Sequence, residues 1–200
     1  MMIKICGITN REDALAAADG GATAIGLNFY KGSKRYIDAE RAAEVAAGLK
    51  LVKVGVFVNE SPAEIARVSE MVGLDVIQLH GDESAETANS IPGRVWKAFR
   101  VTAEWTADTM NAYSSEAFLL DAPSNGEYGG SGDAFDWTRA RGIRKNIILA
   151  GGLDGWNVGR AIQAVDPWGV DACSRLESSP GRKDHEKMRR FIEAALAENI

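Results

Sequence analysis

The most constraining feature of this sequence is a short apolar segment that recurs eight times, each time followed by a helical stretch or a loop. Eight units in 200 residues leave about 25 residues for each. The segments are apolar on both faces, as parallel strands covered by helices are. This pattern predicts an α/β fold in which residues 1–200 form one single-domain (β/α)8 TIM barrel, in a compact version. A doubly wound open sheet is the alternative, but eight units without a second domain favour closure. The predicted strands span residues 2–7, 22–29, 51–58, 75–79, 95–101, 117–120, 146–149 and 169–172.

The net charge of the chain limits the kinds of molecule that it is expected to bind. The chain has 23 Lys and Arg against 28 Asp and Glu, a net charge of −5. We therefore expect no nucleic acid and no anionic membrane as partner, whereas a small anionic substrate needs only local positive charge. No apolar run reaches the ~18 residues of a membrane span. The first strand begins at residue 2, so we also expect no signal peptide.

The sequence shows neither a nucleotide-cofactor motif nor the residue spacing of a metal site. The chain contains neither G-x-G-x-x-G nor G-x-x-x-x-G-K-[ST], the fingerprints of dinucleotide and P-loop sites. Its two Cys and two His show no metal-ligand spacing, so we expect no dedicated zinc site. Such sparse cysteine is typical of a reduced, cytoplasmic protein.

Residues with chemical potential follow the predicted strands, where ligand sites of parallel barrels form. Cys6 ends the first strand and is either a small buried hydrophobe or a reactive thiol that faces a pocket. Gly151 and Gly152 follow the seventh strand and allow backbone amides to approach an anion. We therefore expect four groups to lie close together at the carboxyl ends of the strands: a thiol, a carboxylic acid, a cation and a phosphate-binding loop. The candidate residues are Cys6, Arg35, Gln78, His80, Asp121, Gly151, Gly152 and Ser174.

Five motifs stand in order along essentially the whole chain. They occupy residues 4–9 (Lys-Ile-Cys-Gly-Ile-Thr), 78–81 (Gln-Leu-His-Gly), 129–132 with 135–137, 149–153 (Leu-Ala-Gly-Gly-Leu), and 169–171 with 177–184. Together they resemble the phosphoribosylanthranilate isomerase family of tryptophan biosynthesis. The resemblance implies an Amadori rearrangement of N-(5-phosphoribosyl)anthranilate to 1-(2-carboxyphenylamino)-1-deoxyribulose 5-phosphate.

The resemblance also implies roles for individual residues. Cys6 matches the general base, Asp121 the general acid, and Arg35 the residue that meets the anthranilate carboxylate. The substrate nitrogen is the electron sink, so no metal, flavin or nicotinamide cofactor is expected. The partner is a small phosphorylated molecule, and the chain is expected to be a monomer or a weak homodimer. The remaining substrate-binding candidates are Gln78, His80, Gly151, Gly152, Ser174 and Arg175.

The chain departs from the family pattern after the eighth strand. It has Cys173-Ser174-Arg175 where the family usually has Ser-Ser-Gly. The guanidinium of Arg175 either grips the substrate phosphate, which we prefer, or points to solvent beside Glu177. Cys173 either lies close enough to Cys6 for oxidation to join them, or points into packing. Residues 122–132 form either a lid that orders over substrate or a surface loop.

Three other functions are weighed against this one. The histidine-pathway isomerase performs the same chemistry on a nucleotide-like substrate, but that family carries Asp where Cys6 stands. A metal-dependent sugar-phosphate epimerase needs more ligands than two His supply. The third alternative is an inactive ligand-binding barrel, which the survival of both catalytic candidates disfavours.

Overall fold

Eight parallel strands close into a barrel in the computed structural model, which describes residues 1–123 and 136–198. Each strand pairs with the next, and the last pairs with the first in the register Met2↔Gly169 to Ile5↔Ala172. The predicted closed barrel is confirmed, and the open-sheet alternative is wrong. All eight strands lie within two residues of their predicted ends. They are Met2–Ile5 (β1), Ala24–Asn28 (β2), Val52–Phe57 (β3), Val76–Leu79 (β4), Val95–Arg100 (β5), Ala117–Asp121 (β6), Ile147–Leu149 (β7) and Gly169–Ala172 (β8).

Helices connect most of the strands. Side-chain caps from Asn10, Asp38, Ser61, Ser84 and Asp184 accept the free backbone N–H groups at five helix starts. None of the described helices is long and apolar enough to span a membrane. The α-helices are Arg11–Asp19 (α1), Ala39–Ala46 (α2), Pro62–Val72 (α3), Ala85–Ser90 (α4), Val158–Val165 (α5) and His185–Ala197 (α6).

Three 3-10 helices and one hairpin in the described part of the chain depart from simple strand–helix alternation. The weak helix predicted after β5 is a 3-10 helix, Ala107–Ala112, and another follows at Trp137–Ala140. A third, Ser174–Leu176, follows β8. The segment expected to be a loop before α6 contains an antiparallel hairpin of Glu177–Ser179 (β9) and Arg182–Lys183 (β10). This hairpin brings charged residues to the carboxyl ends of the strands.

Side chains alternate between two cores. The odd-numbered residues of β1 and the even-numbered residues of β8 pack outward against the helices, as Ile3, Ile5 and Val170 do. Their neighbours Lys4 and Asp171 point into the barrel, because successive residues of a strand face opposite sides. The interior is apolar at its centre and becomes polar toward the carboxyl ends. Its central residues are Ala24, Val54, Val76, Trp96, Ala98, Ala117, Leu119, Ile148 and Ala150.

Candidate active site

Cys6 follows β1 at the carboxyl end of the barrel, and its thiol lies against Gly26 of β2. A Cβ atom at residue 26 would stand 2.7 Å from Cys6 Sγ and 3.2 Å from Lys4 Cε, so glycine leaves room for both side chains. Lys4 is fully buried, and its Nζ donates to Asp171 Oδ1 at 2.9 Å. Burial lowers the pKa of Lys4, but its interactions with Asp171 and Cys6 outweigh that effect and raise the pKa. A stable cation therefore lies beside the Cys6 thiol.

The Cys6 thiol is hydrogen-bonded to the thiol of Cys173, which follows β8. Both cysteines are free and partly accessible. This hydrogen bond, together with burial, raises the pKa of Cys6 well above its usual value. The same bond lowers the pKa of Cys173 to about 7, against the effect of burial and with help from Lys183. Two groups that share a proton lose the first far more easily than the second. The thiol pair therefore loses its first proton at about pH 7.

Asp121, the last residue of β6, faces His80, which follows β4. His80 Nε2 lies 3.4 Å from Asp121 Oδ2. On the other side of the same ring, Gln78 Nε2 lies 2.9 Å from His80 Nδ1. Asp121 Oδ1 accepts the backbone N–H of Ala122 at 2.9 Å, which fixes the carboxyl group. Three residues predicted separately from the sequence thus form one row, Gln78–His80–Asp121.

Arg35, in the loop after β2, is held by Glu177 of β9. Its Nε donates to Glu177 Oε1 at 3.1 Å and its Nη2 to Oε2 at 2.8 Å. Lys183 of β10 also donates to Glu177 Oε1, at 3.2 Å. Although burial opposes it, Arg35 and Lys183 hold the pKa of Glu177 below its usual value. The carboxylate leaves the Nη1 side of the Arg35 guanidinium available to a ligand.

One cleft at the ends of β6, β7 and β8 contains Asp121 and the predicted phosphate residues Gly151, Gly152, Ser174 and Arg175. Gly151 and Gly152 have φ angles of 75° and 62°, which favour glycine. A Cβ atom at Gly151 would also stand 2.7 Å from the backbone nitrogen of Ala122. Cys173 lines the same cleft, so the acid and one of the two thiols open into one space.

Arg175 does not turn toward Glu177. Its Nη1 donates to Asp154 Oδ2 at 3.0 Å, which joins the loops after β7 and β8. The guanidinium therefore stands at the edge of the cleft with Gly151 and Gly152. The Arg175 side chain is 45% exposed, and its ion-pair partner is Asp154 of the loop after β7.

A buried ion pair beside His80 was not predicted from the sequence. Lys97 Nζ and Glu83 Oε2 are 3.0 Å apart, and each side chain is 2% exposed. Glu83 Oε2 accepts the N–H of Gly81 at 3.0 Å, while Lys97 donates to the carbonyl of Gly81 at 2.8 Å. The pair thus clamps the peptide that follows His80. The signal was present: a lysine within an apolar strand covered on both sides needs a buried partner.

Two further expectations, the lid and the absence of a metal site, depend on which residues the structure describes. From residue 124 onward, the segment expected to be a lid lies outside the described residues, as do residues 129–132 and 135 of the motifs. Within 1–123 and 136–198, no group of three His, Cys, Asp or Glu side chains is arranged to hold a metal ion.

Comparisons with known proteins agree on one family. A family model described as N-(5′-phosphoribosyl)anthranilate (PRA) isomerase matches residues 3–194. The chain is 49% identical to the N-(5′-phosphoribosyl)anthranilate isomerase of Solibacter usitatus over 200 residues, which cover 98% of both chains. It is 46% identical to that of Rubrobacter xylanophilus, with 96% of this chain and 98% of the relative covered.

Solved structures agree with the sequence comparisons. The phosphoribosyl anthranilate isomerase of Thermus thermophilus superimposes with a TM-score of 0.90 at 36% identity, covering 98% of this chain and 99% of the other. A phosphoribosyl anthranilate isomerase solved in complex with reduced 1-(o-carboxyphenylamino)-1-deoxyribulose 5-phosphate gives 0.86 at 38% identity, with the same coverage. These matches extend over the barrel and the cleft together. The chain therefore belongs to the N-(5′-phosphoribosyl)anthranilate isomerase family, whose members are enzymes of tryptophan biosynthesis.

Proposed function

We propose that Cys6 and Asp121 carry out the acid–base chemistry by which N-(5-phosphoribosyl)anthranilate is isomerised to 1-(2-carboxyphenylamino)-1-deoxyribulose 5-phosphate. The observation that carries this proposal is the shared cleft. Asp121 lines it on one side, and Cys173, the hydrogen-bond partner of Cys6, lines it on another. An Amadori rearrangement needs a proton donor and a proton acceptor within reach of one sugar.

The proposed sequence of steps balances without a cofactor. Asp121 gives a proton to the ribose ring oxygen while the C1′–O bond breaks and the anthranilate nitrogen forms a C1′=N bond. The cationic imine makes the hydrogen on C2′ acidic. A thiolate removes that proton, and the electrons of the C2′–H bond neutralise the imine. The resulting enol becomes a ketone as its C2′ hydroxyl returns a proton to Asp121 and C1′ takes up the proton held by the thiol, so both groups are restored and the overall change is an isomerisation.

The thiol pair is suited to act as the base. An ordinary thiol has a pKa of about 8.5 and is only a few per cent thiolate at pH 7. The hydrogen bond between Cys6 and Cys173, with Lys183 nearby, lets the pair lose its first proton at about pH 7. Lys4 lies beneath Cys6 and favours the charge on that sulfur. Transfer of a proton from Cys6 to Cys173 leaves Cys6 able to accept the proton from C2′.

The proposed binding roles follow the charges at the strand ends. Arg35 would receive the anthranilate carboxylate on the side of its guanidinium that Glu177 leaves available. Gly151, Gly152 and Ser174 would present backbone amides to the phosphate, with Arg175 at the edge of the cleft. His80 would line the opposite side, next to Asp121, with the buried Gln78 side chain behind its ring.

The test is turnover of N-(5-phosphoribosyl)anthranilate by the purified protein, followed by fluorescence. Cys6→Ser and Asp121→Asn should each lower kcat at least ~10²-fold while the thermal unfolding midpoint changes little. Asp108→Asn, an exposed carboxylate in the 3-10 helix after β5, is the matched control. Near-normal turnover in either active-site variant would remove that residue from the mechanism. An inactive wild-type protein would favour the ligand-binding barrel, and turnover of only the histidine-pathway substrate would favour the other isomerase.

Two further properties form part of the proposal. We place the enzyme in the cytoplasm, as the low cysteine content suggests. We also expect a monomer or a weak homodimer, although the relative from Thermotoga maritima is described as dimeric. Sedimentation over a wide range of protein concentration would test this, and a dimer that persists at the lowest concentration would contradict it.

A further inference from the structure

Gln78 occupies a place that neither the fold nor substrate binding readily explains. It lies on β4 two residues after Val76, so both side chains point into the barrel. The side chain is fully buried. Its Oε1 has no hydrogen-bond partner within the described part of the chain, although burying a polar atom in this way is costly. Among the residues that the structure describes, its one polar contact is the 2.9 Å approach of Nε2 to His80 Nδ1.

That contact fixes the position of the proton on the imidazole ring. With the amide in this orientation, Nε2 of Gln78 donates and Nδ1 of His80 accepts with its lone pair. The proton of the neutral ring then resides on Nε2. Nε2 is buried, has no hydrogen-bond partner among the described residues, and lies 3.4 Å from Asp121 Oδ2. Catalytic contacts are often this long in free enzymes and shorten during reaction.

We propose that Gln78 is a positioning residue, which holds His80 as the Nε2–H tautomer so that the ring donates a hydrogen bond to the carboxylate of Asp121. This inference rests on the proposed function, in which Asp121 gives up its proton to the ribose ring oxygen. The negative charge created on Asp121 meets a fixed N–H donor at that moment. Gln78 therefore contributes to proton transfer through His80, without touching the substrate.

Charged residues around His80 also bear on the position of its ring. The buried Glu83–Lys97 pair clamps the peptide of Gly81 and so fixes the backbone next to the ring. Asp82 and Arg100 form an ion pair farther out, at 2.6 Å. Asp121 is the carboxylate that faces the ring directly. Gln78 is the group that contacts Nδ1, so it decides which nitrogen bears the proton.

The direct test measures the tautomer without substrate or turnover. The protein is labelled with 15N-histidine, and the ring nitrogens of His80 and His185 are observed by NMR. Because the chain has only two His, His185→Gln assigns the spectrum. In the wild-type protein we expect His80 to show a protonated Nε2 and an unprotonated Nδ1. In Gln78→Met, which matches the side chain in size but cannot donate, both tautomers should appear. In Gln78→Glu, which only accepts, Nδ1 should become protonated.

Kinetics tests the consequence of this tautomer. Gln78→Met and Gln78→Glu should lower kcat by roughly 10- to 100-fold, with KM changed less than about three-fold, because the affected interaction forms with the developing charge. The pH profile of kcat should also shift in Gln78→Glu, where the ring carries a proton on Nδ1. His185→Gln should retain wild-type turnover, since the His185 ring lies 2.8 Å from Asp13, outside the cleft.

Several outcomes would overturn the proposal. A wild-type ring with its proton on Nδ1, or an unchanged spectrum in Gln78→Met, would remove the role in setting the tautomer. A raised KM with an unchanged kcat would make Gln78 a substrate ligand instead. An inactive wild-type protein would refute the proposed function, yet the NMR result would still decide whether Gln78 sets the tautomer.

Discussion

Glu177 holds Arg35 by two hydrogen bonds, although 142 residues separate them in the chain: Nη2 to Oε2 at 2.8 Å and Nε to Oε1 at 3.1 Å. A bidentate contact of this kind fixes both the position and the plane of a guanidinium. The β9–β10 hairpin supplies the carboxylate, and the loop after β2 supplies the arginine. The guanidinium is therefore oriented before any ligand arrives.

The first prediction concerns this pair. Glu177→Gln should raise KM several-fold and leave kcat nearly unchanged, because a neutral amide holds Arg35 less firmly and binding is weakened uniformly. Steady-state kinetics with N-(5-phosphoribosyl)anthranilate measures the effect. The control is Glu116→Gln, which removes the exposed ion pair with Arg94 at the opposite end of the barrel. An unchanged KM would mean that Arg35 is held well enough by packing.

The pair also has a pH signature. The pKa of Glu177 is lower in the folded protein than its usual 4.5. Its contribution to stability is therefore present above pH 4.5 and is lost as the pH falls through the folded value. The difference in free energy of unfolding between the wild-type protein and Glu177→Gln should shrink below about pH 4.5. A difference that stays constant down to pH 3 would contradict the coupling.

The second prediction concerns the space at Gly26. A Cβ atom there would stand 2.7 Å from Cys6 Sγ and 3.1 Å from Cys6 Cα. Gly26→Ala should therefore displace the thiol, lower kcat roughly ten-fold and cost about 1–3 kcal/mol of stability. Turnover and thermal unfolding measure the two effects. Gly159→Ala is the control, because its nearest neighbour is the end of the flexible Glu198 side chain. Wild-type turnover in Gly26→Ala would show that the exact place of the thiol is unimportant.

The third prediction concerns the titration of the thiol pair. Its first proton is lost with a pKa of about 7, so alkylation by iodoacetamide should slow as the pH falls below that value. In Cys173→Ser the midpoint should move upward, because burial raises the pKa of Cys6 and the second sulfur no longer shares the charge. Rates of alkylation against pH, with the modified residue identified by mass spectrometry, provide the measurement. An unchanged midpoint would mean that the two thiols titrate independently.

The fourth prediction concerns oxidation of the same pair. Hydrogen peroxide can join the two thiols as a disulfide with release of two water molecules, because the two thiols already interact. Activity should fall on mild oxidation and return with a thiol reductant. Cys173→Ser should resist this reversible loss. If that variant loses activity equally, the peroxide oxidises Cys6 directly and no disulfide is needed.

The fifth prediction concerns Arg175. Its removal in Arg175→Ala should raise KM several-fold at low salt with kcat nearly intact, because a cation at the edge of the phosphate cleft contributes uniform binding. Asp154 also holds this guanidinium, so Asp154→Asn should give a smaller change in the same direction. Lower KM in Arg175→Gly would instead show the arginine to be a tolerated departure from the family pattern.

The sequence alone determined the barrel and the identities of the candidate site residues. The residue range of β8 was predicted as observed, and the remaining strands to within two residues, because apolar runs and the breaks between them are local signals. The positions of Cys6, Asp121, Gly151 and Gly152 followed from the same reasoning, since the carboxyl ends of parallel strands converge. The 3-10 helix after β5 and the β9–β10 hairpin have weaker local signals and were less well predicted.

Only the tertiary structure decided how those residues are paired. Arg35 with Glu177, Cys6 with Cys173, and His80 with Asp121 are each joined across distant parts of the chain. Closure of the barrel brings β1 beside β8, and it sets the ends of β4 and β6 across one mouth. Hydrogen bonds and charge interactions act over a few ångströms, so their partners depend on this geometry and not on spacing in the sequence.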